Sequence, residues 1–218
     1  DRSAGVSGPA GSCRLPMHKR AGEPRGLGLL AGLRAAQRAG VRLVVSMPRM
    51  AGALADLGAL EQLRPGIILP ATPLESFRRA RRWRGRAGPV FIGAGHADRR
   101  KGFDLFLQAA ELLRAARPQA RFVWLGALDG WARNLADQAL AGGLDLTLPG
   151  FVEDSLAWYR AADVYLLTSR QDPGPTTAIH AAATGTPFAG YAADIGLVGQ
   201  TEGMGRFVPP GDAEGLVA

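Results

Sequence analysis

The stretch from Asp163 to Phe188 carries polar residues whose types and spacing suit a chemical site. A Val, Tyr and Leu run from Asp163 to Thr168 predicts a short buried strand. The next loop, Ser169 to Pro175, contains a glycine and two prolines, which end regular structure. A helix is then expected from Pro175 to about Thr184. Polar residues ahead of a helix N-terminus form an anion site, and the ligand we expect there is a phosphate group.

A second polar loop follows an earlier expected strand. It runs from Gly93-Ala94-Gly95-His96 to the basic triplet Arg99-Arg100-Lys101. Lys101 opens a helix, where a cation is unfavourable against the helix dipole unless an anion offsets it, so the triplet favours a phosphate partner. The alternative is an ordinary surface lysine, since a lone Arg-Lys-Gly is a weak signal.

Two common nucleotide-binding motifs do not fit this loop. A dinucleotide fingerprint would need its third glycine at the position of Asp98, and no acidic ribose ligand is readily placed. The sequence also lacks the G-x-x-x-x-G-K-[ST] pattern of a P-loop. Neither a nicotinamide or flavin site nor a P-loop is therefore expected.

The elements that position these loops alternate between short apolar strands and helices. Strands are expected at Val41 to Ser46, Gly66 to Leu69, Pro89 to Ala94, Arg121 to Leu125, Asp145 to Leu148, Asp163 to Thr168, Pro187 to Tyr191 and Arg206 to Val208. Helices are expected at Leu27 to Ala39, Pro48 to Leu57, Gly102 to Ala116, Gly130 to Ala141, Glu153 to Ala162 and after Pro175, with another beginning near Asp212. Repeated βα units of this length predict an α/β fold, a Rossmann-like parallel sheet with helices on both faces. Its ligand should lie at the carboxyl ends of the strands.

The motif S-R-x-D-P-x-P, followed by A-x-A-x-G-T-P, resembles the nucleotide-sugar signature of family-4-type retaining glycosyltransferases with the GT-B fold. R-K-G-F-D-L-F, F-V-W-L-G, G-F-V-x-D and ADVYLLTSR occur in an order similar to one branch of that family. The resemblance covers residues 87 to 218, while residues 27 to 86 resemble the end of the family's acceptor-binding half. Four positions depart from the family pattern: Asp172 and His180 replace the two Glu of E-x7-E, Gly174 replaces Phe and His96 replaces Arg.

The resemblance implies a nucleotide diphosphate sugar as donor substrate, with no further cofactor. It places Lys101 and Arg100 at the diphosphate, together with the N–H groups of Thr176 and Thr177, and Asp172 near the donor sugar. His180 would face the ribose, where a neutral imidazole cannot accept from two hydroxyls as a Glu does; the alternative is an ordinary helix residue. The implied catalytic residues are Lys101, Asp172 and His180. The implied donor-binding residues are Gly95, His96, Arg100, Lys101, Gly126, Phe151, Val152, Gly174, Pro175, Thr176, Thr177 and His180.

Composition excludes several other classes of protein. Of the 218 residues 47% are apolar, which is ample for a buried core. Cys13 is the single cysteine, so an internal disulfide and a cysteine-based zinc site are excluded. No cluster of His, Cys and carboxylates suggests a metal, and no Ser, His and Asp order suggests a hydrolase. No apolar run approaches 18 residues and no signal-peptide core is present, so a cytoplasmic location is expected.

The net charge of +7 is unevenly distributed. Residues 1–86 contain 16 basic and 5 acidic residues, whereas residues 87–218 contain 10 and 14. Arginine supplies 24 of the 26 cations, a bias that a GC-rich genome explains most simply. A basic first part is also compatible with an anionic acceptor or with peripheral contact at the inner face of a membrane.

We therefore expect three segments: a flexible leader (residues 1–26), the tail of an acceptor domain with an arginine-rich linker (27–86), and a truncated C-terminal nucleotide-sugar-binding domain (87–218). The chain begins without Met and ends inside an expected helix, so it is interpreted as a fragment that does not turn over alone. The expected function is sugar transfer from a nucleotide diphosphate sugar to a glycan, lipid or polysaccharide, with retention and without nucleic acid. The alternatives are a non-catalytic or weakly binding relative, and an arginine-rich nucleic-acid-binding protein.

Overall fold

The computed structural model of the chain describes residues 88–196 and 204–218, together with the separate positions 31, 35, 38, 39, 44, 45, 66 and 67. Positions 31, 35 and 38 are helical, as the first expected helix requires. Two-residue strands, β1 (Val44–Val45) and β2 (Gly66–Ile67), form a two-stranded sheet. The expected leader, the helix at Pro48 to Leu57 and the arginine-rich segment fall outside the described residues, and the domain boundary near residue 87 stays a prediction.

A six-stranded parallel sheet forms the centre of the described unit. The strands that follow β2 are β3 (Val90–Ala94), β4 (Arg121–Leu125), β5 (Leu146–Gly150), β6 (Val164–Leu167), β7 (Gln171–Asp172), β8 (Phe188–Tyr191), β9 (Asp194–Ile195) and β10 (Gly205–Val208). The order across the sheet is β10-β8-β6-β3-β4-β5. The chain adds β4 and β5 on one side of β3 and then crosses over to add β6, β8 and β10 on the other side. The boundary between β3 and β6 is therefore the switch point, where doubly wound sheets bind ligands.

Helices cover both faces of this sheet, which confirms the predicted fold class. They are α1 (Phe103–Ala116), α2 (Gly130–Ala141), α3 (Ser155–Ala161), α4 (Thr176–Ala183) and α5 (Ala213–Val217). Buried residues of α1, α2 and α5 form one apolar cluster with alternate residues of the strands, and those of α3 and α4 form another. Because both faces of the central strands are buried, their sequences are almost continuously apolar.

The capping residues explain where the helices begin. Asp129 caps α2 by accepting from the N–H of Ala132 at 2.7 Å, and Asp154 caps α3 by accepting from Leu156 at 3.0 Å. The cap at Asp154 also explains why α3 starts two residues later than the expected helix at Glu153. The first turns of α1 and α4, the helices after β3 and β6, have no side-chain cap.

Two features of the strands are not evident in the sequence pattern. β7 and β9 form a two-stranded parallel sheet of two residues each, too short to produce a periodic signal. β5 extends to Gly150 and lies at one edge of the main sheet, with Pro149 inside it. Within residues 88–196 and 204–218, no helix is long and apolar enough to cross a membrane.

Candidate functional site

Two loops meet at the switch point: residues 95–102, between β3 and α1, and residues 168–175, between β6 and α4. We call them the switch-point loops. The N–H of Arg170 donates to the carbonyl of Arg100 at 2.9 Å, and Nη1 of Arg100 donates to the carbonyl of Gln171 at 3.0 Å. Gly102 has φ +68°, and a Cβ there would stand 2.0 Å from the carbonyl oxygen of Thr168. The backbones of the two loops are therefore in direct contact, and this contact requires glycine.

Each cation of the basic triplet is engaged within the chain. The guanidinium of Arg99 lies over the ring of Trp131, 4.6 Å from its centroid, and Arg100 bonds the β7 backbone as described. Nζ of Lys101 lies 2.5 Å from Oδ2 of Asp172, and the two side chains are 12% and 7% exposed. Asp172 is thus an anion that offsets the charge of Lys101 within the chain itself.

The backbone of Asp172 is also fixed. Asp172 pairs with Ile195 in the β7–β9 sheet, and its carbonyl accepts from the N–H of Gly196 at 2.9 Å. Lys101 is fixed from its own side, because its N–H donates to Oδ1 of Asp98 at 2.7 Å. The ion pair therefore joins two well-anchored segments.

Two glycines allow the loop after β3 to approach the loop after β4. Gly95 has φ +130° and Gly126 has φ +129°, and a Cβ on Gly126 would lie 2.2 Å from the carbonyl oxygen of Gly95. That carbonyl also accepts from Nε1 of Trp124 at 3.0 Å. A Cβ on Gly95 would lie 2.9 Å from Cε of Lys101. The lysine stem thus runs across the face of Gly95.

A cavity of about 420 Å³ opens at the carboxyl ends of β3, β4 and β5 and reaches Thr177 and His180 of α4, so it borders the switch point between β3 and β6. Seven of the residues expected to bind the donor line it: Gly95, His96, Gly126, Phe151, Val152, Thr177 and His180. The other lining residues are Ala94, Leu125, Ala127, Ser155 and Tyr159. Phe151 is 84% exposed. Glycines, aromatic rings and a few hydroxyl and imidazole groups make this a surface suited to a polar ligand with a flat apolar part.

Thr177, in the first turn of α4, is held by a buried tyrosine. Its Oγ1 lies 2.8 Å from the hydroxyl of Tyr165, which is 1% exposed and lies 3.5 Å from the carbonyl oxygen of Ala94. The first turn of α4 is thereby tied to the carboxyl end of β3. This hydrogen bond orients the Thr177 hydroxyl at the edge of the cavity.

His180 lies one turn further along α4, half-buried beside the ring of Tyr159, with the ring centroids 6.5 Å apart. Burial lowers the pKa of His180 below its ordinary value, so the ring is neutral at pH 7. Burial raises the pKa of Tyr159 to about 12, against the opposing effect of a hydrogen bond from Ser155. Both groups therefore present uncharged polar atoms to the cavity.

The remaining expected residues lie outside the cavity lining. They are Arg100, Lys101, Asp172, Gly174, Pro175 and Thr176. The N–H of Thr176 donates to the carbonyl of Gly174 at 2.8 Å, so this N–H, expected to bind a phosphate, is used within the chain.

The sequence interpretation missed Ser155 and Tyr159 of α3. Their i, i+4 spacing places both on one helix face, just after the loop that carries Phe151 and Val152. That spacing was a readable signal. In the part of the chain that the structure describes, no three His, Cys, Asp or Glu residues are grouped to hold a metal ion.

The strand order and the cavity at its switch point define a Rossmann-like domain of the type that binds nucleotides. More specifically, the chain belongs to the glycosyl transferases group 1 family, whose model matches residues 88–218. This confirms the predicted family, while the altered E-x7-E motif stays a prediction.

Curated relatives and solved structures agree with this assignment. D-inositol 3-phosphate glycosyltransferase of Paenarthrobacter aurescens is 30% identical over 76% of this chain and 43% of its own length. Phosphatidyl-myo-inositol mannosyltransferase of Propionibacterium freudenreichii is 33% identical over 65% and 37%. The chain thus spans less than half of either relative.

Solved glycosyltransferases share the fold at low identity. A glycosyltransferase of Rickettsia africae superposes with TM-score 0.73 at 15% identity, over 87% of this chain and 55% of its own. HepE of Anabaena in complex with UDP superposes with TM-score 0.70 at 18% identity, over 86% and 56%.

Proposed function

We propose that the described unit binds the nucleoside diphosphate part of a sugar donor, and that the whole protein transfers this sugar to a glycan or lipid-linked acceptor. The observation that carries the proposal is the cavity at the switch point, bounded by the first turn of α4 and lying beside Lys101. The relatives' names, a glycosyltransferase of D-inositol 3-phosphate and a mannosyltransferase of phosphatidyl-myo-inositol, support a phosphorylated or lipid-linked acceptor.

Lys101 and Thr177 are assigned to the diphosphate. In the reaction the bond between the anomeric carbon and a diphosphate oxygen breaks, and its electron pair leaves with the diphosphate. The acceptor hydroxyl oxygen bonds to the carbon, and its proton passes to the leaving diphosphate. A fixed cation and helix N-terminal N–H groups stabilise the negative charge of the leaving diphosphate. Retention of configuration is proposed from the family resemblance.

The nucleoside is assigned to the other end of the cavity. Phe151 offers an exposed ring at its mouth, and Ser155, Tyr159 and His180 offer hydroxyl and imidazole groups along its wall. A flat base can pack on apolar and aromatic atoms while the ribose hydroxyls meet the polar ones.

Calorimetric titration of the chain with UDP, GDP and ADP, and with the three nucleosides, tests this proposal. We expect saturable binding of at least one diphosphate, about ten- to hundredfold weaker in Lys101→Ala, because a charged hydrogen bond is lost. Lys19→Ala removes the same charge elsewhere and should bind as the native chain does. Absence of binding by every diphosphate to a folded sample would refute the proposal.

A second candidate is a relative that binds a donor without transferring its sugar. The observation that favours it is Asp172, which is paired with Lys101. His180, at the position that the family resemblance assigns to the ribose, adds to it. Release of free nucleoside diphosphate from its sugar conjugates by the whole protein would exclude this candidate. The proposed membrane contact of the basic first part concerns residues outside the described ones and stays a prediction.

A further inference from the structure

The Lys101–Asp172 ion pair lies beside the cavity in which the diphosphate is proposed to bind. Gly95 lines the cavity, and a Cβ added at Gly95 would lie 3.4 Å from Nζ of Lys101. The same Nζ lies 2.5 Å from Oδ2 of Asp172. The Asp172 carboxylate is also near enough to the Tyr165 hydroxyl to act on it electrostatically, and that hydroxyl bonds Thr177. The carboxylate thus contacts the lysine directly and acts through space on the tyrosine that holds Thr177, and both Lys101 and Thr177 are assigned to the phosphates.

We propose that Asp172 is an internal counter-anion that holds Lys101 in the ligand-free protein and must be displaced from it by the donor diphosphate. This inference rests on the proposed function of the site. In this proposal Asp172 acts on Lys101 as a positioning and specificity-determining residue. It does not make the contact with the donor sugar that the family resemblance had led us to expect.

The burial of the pair strengthens the interaction between Lys101 and Asp172. Exposed ion pairs contribute little because water screens them, but at 12% and 7% side-chain exposure both charges are largely removed from water. Lys101 cannot leave Asp172 for a weak anion, because the carboxylate would then be buried without its partner. A diphosphate carries more negative charge than one carboxylate and can replace it, whereas a nucleoside monophosphate competes less well. The ion pair thus selects for the diphosphate.

The isosteric variant Asp172→Asn tests the competition directly. It keeps the side-chain shape and removes the competing charge. We expect UDP, GDP or ADP, whichever the native chain binds, to bind about tenfold more tightly, with the nucleoside unaffected and the preference over the monophosphate reduced. In a Lys101→Ala background the same substitution should give no such gain.

A second measurement needs no donor, because Lys19 and Lys101 are the only lysines of the chain. Acetylation with a limiting amount of reagent, followed by mass spectrometry of the two lysine-containing peptides, gives the acetylation rate of Lys101 relative to that of Lys19. We expect Lys101 to react about tenfold faster in Asp172→Asn, since a buried charged hydrogen bond is removed. Asp172→Glu, which retains the charge, should restore slow reaction.

Asp104→Asn is the matched control. It removes one negative charge from the neighbouring pair of Asp104 with Arg170, whose two hydrogen bonds are both 2.8 Å, and it should change neither the Lys101 rate nor the diphosphate affinity.

Three results would overturn the inference. One is an unchanged Lys101 rate in a folded Asp172→Asn protein. Another is a faster rate with diphosphate affinity unchanged or weakened, as a sugar-contacting carboxylate would give. If neither the native chain nor Asp172→Asn binds any of the three diphosphates or inorganic pyrophosphate, the proposed function itself fails and this inference fails with it.

Discussion

At position 180 a single imidazole stands where the family resemblance expects a carboxylate. The sequence register places His180 facing a donor, which stays a prediction, and the structure places it in the lining of the cavity. The register could not predict the ring contact with Tyr159 or the half-buried setting, because both depend on how α3 packs against α4. Pairwise packing between helices distant in sequence leaves no local pattern to read.

His180→Glu should bind the nucleoside diphosphate about tenfold more tightly than His180→Gln does. Two carboxylate oxygens can accept from both ribose hydroxyls with charge-assisted bonds, which a neutral side chain cannot supply. Titration with the 2′,3′-dideoxynucleotide is the control, since the advantage of Glu should disappear with the hydroxyls. An equal advantage with the dideoxynucleotide would show that position 180 does not face the ribose.

His180 should also make stability depend on pH. Its pKa is lower in the folded state than the ordinary value of 6.5, so below that value the unfolded chain binds more protons than the folded one. Stability contributed by the neutral ring is therefore full above pH 6.5 and declines as the pH falls from 6.5 toward the folded pKa. Urea unfolding between pH 5 and 8 should show a shallower decline in His180→Gln; parallel profiles for the two proteins would contradict this assignment.

At the scale of elements, composition and alternation were sufficient to predict the six main strands and the helices that cover them. Buried parallel strands are apolar at almost every position, and helices carry an apolar face, so both leave strong local signals. β7 and β9 left none, although they fix the backbone of Asp172. The cavity-facing residues of α3 were likewise missed, because the search followed the loops after the strands.

Gly102, where α1 begins, should tolerate no side chain. Alanine there has an unfavourable left-handed backbone and a Cβ 2.0 Å from the carbonyl oxygen of Thr168, so we expect a loss of more than about 2 kcal/mol in the free energy of unfolding. Gly185→Ala is the matched control: its φ is +80° but its Cβ would meet no atom within 4 Å. Denaturant unfolding of both variants separates backbone strain from loop contact, and equal losses would count against the contact.

At the scale of the whole molecule, residues 1–86 are strongly basic and residues 87–218 are slightly acidic. The family model matches only the second of these parts. The expectation of a site at the carboxyl ends of the strands, where the structure has its cavity, follows from parallel topology alone. Which strands are neighbours does not, because strand order depends on crossovers whose direction is not encoded locally. The pairing of β3 with β6, and with it the Lys101–Asp172 contact, therefore required the structure.

Residues 87–218 should fold without the rest of the chain. The buried residues of both described apolar clusters all lie between Val90 and Leu216. The isolated segment is expected to unfold in one cooperative thermal transition, with a midpoint raised by the diphosphate that the longer chain binds. A broad, non-cooperative transition would show that the first part of the chain contributes to this core.

The edge position of β5 has a consequence for association between molecules. Among the strands that the structure describes, β5 has a neighbour on one side only. Such an edge presents N–H and C=O groups that can pair with a strand of another molecule, and such pairing leads to aggregation. Pro149 interrupts this row because proline has no N–H to donate. Pro149 thus disfavours edge-to-edge pairing of this sheet with a strand of another molecule.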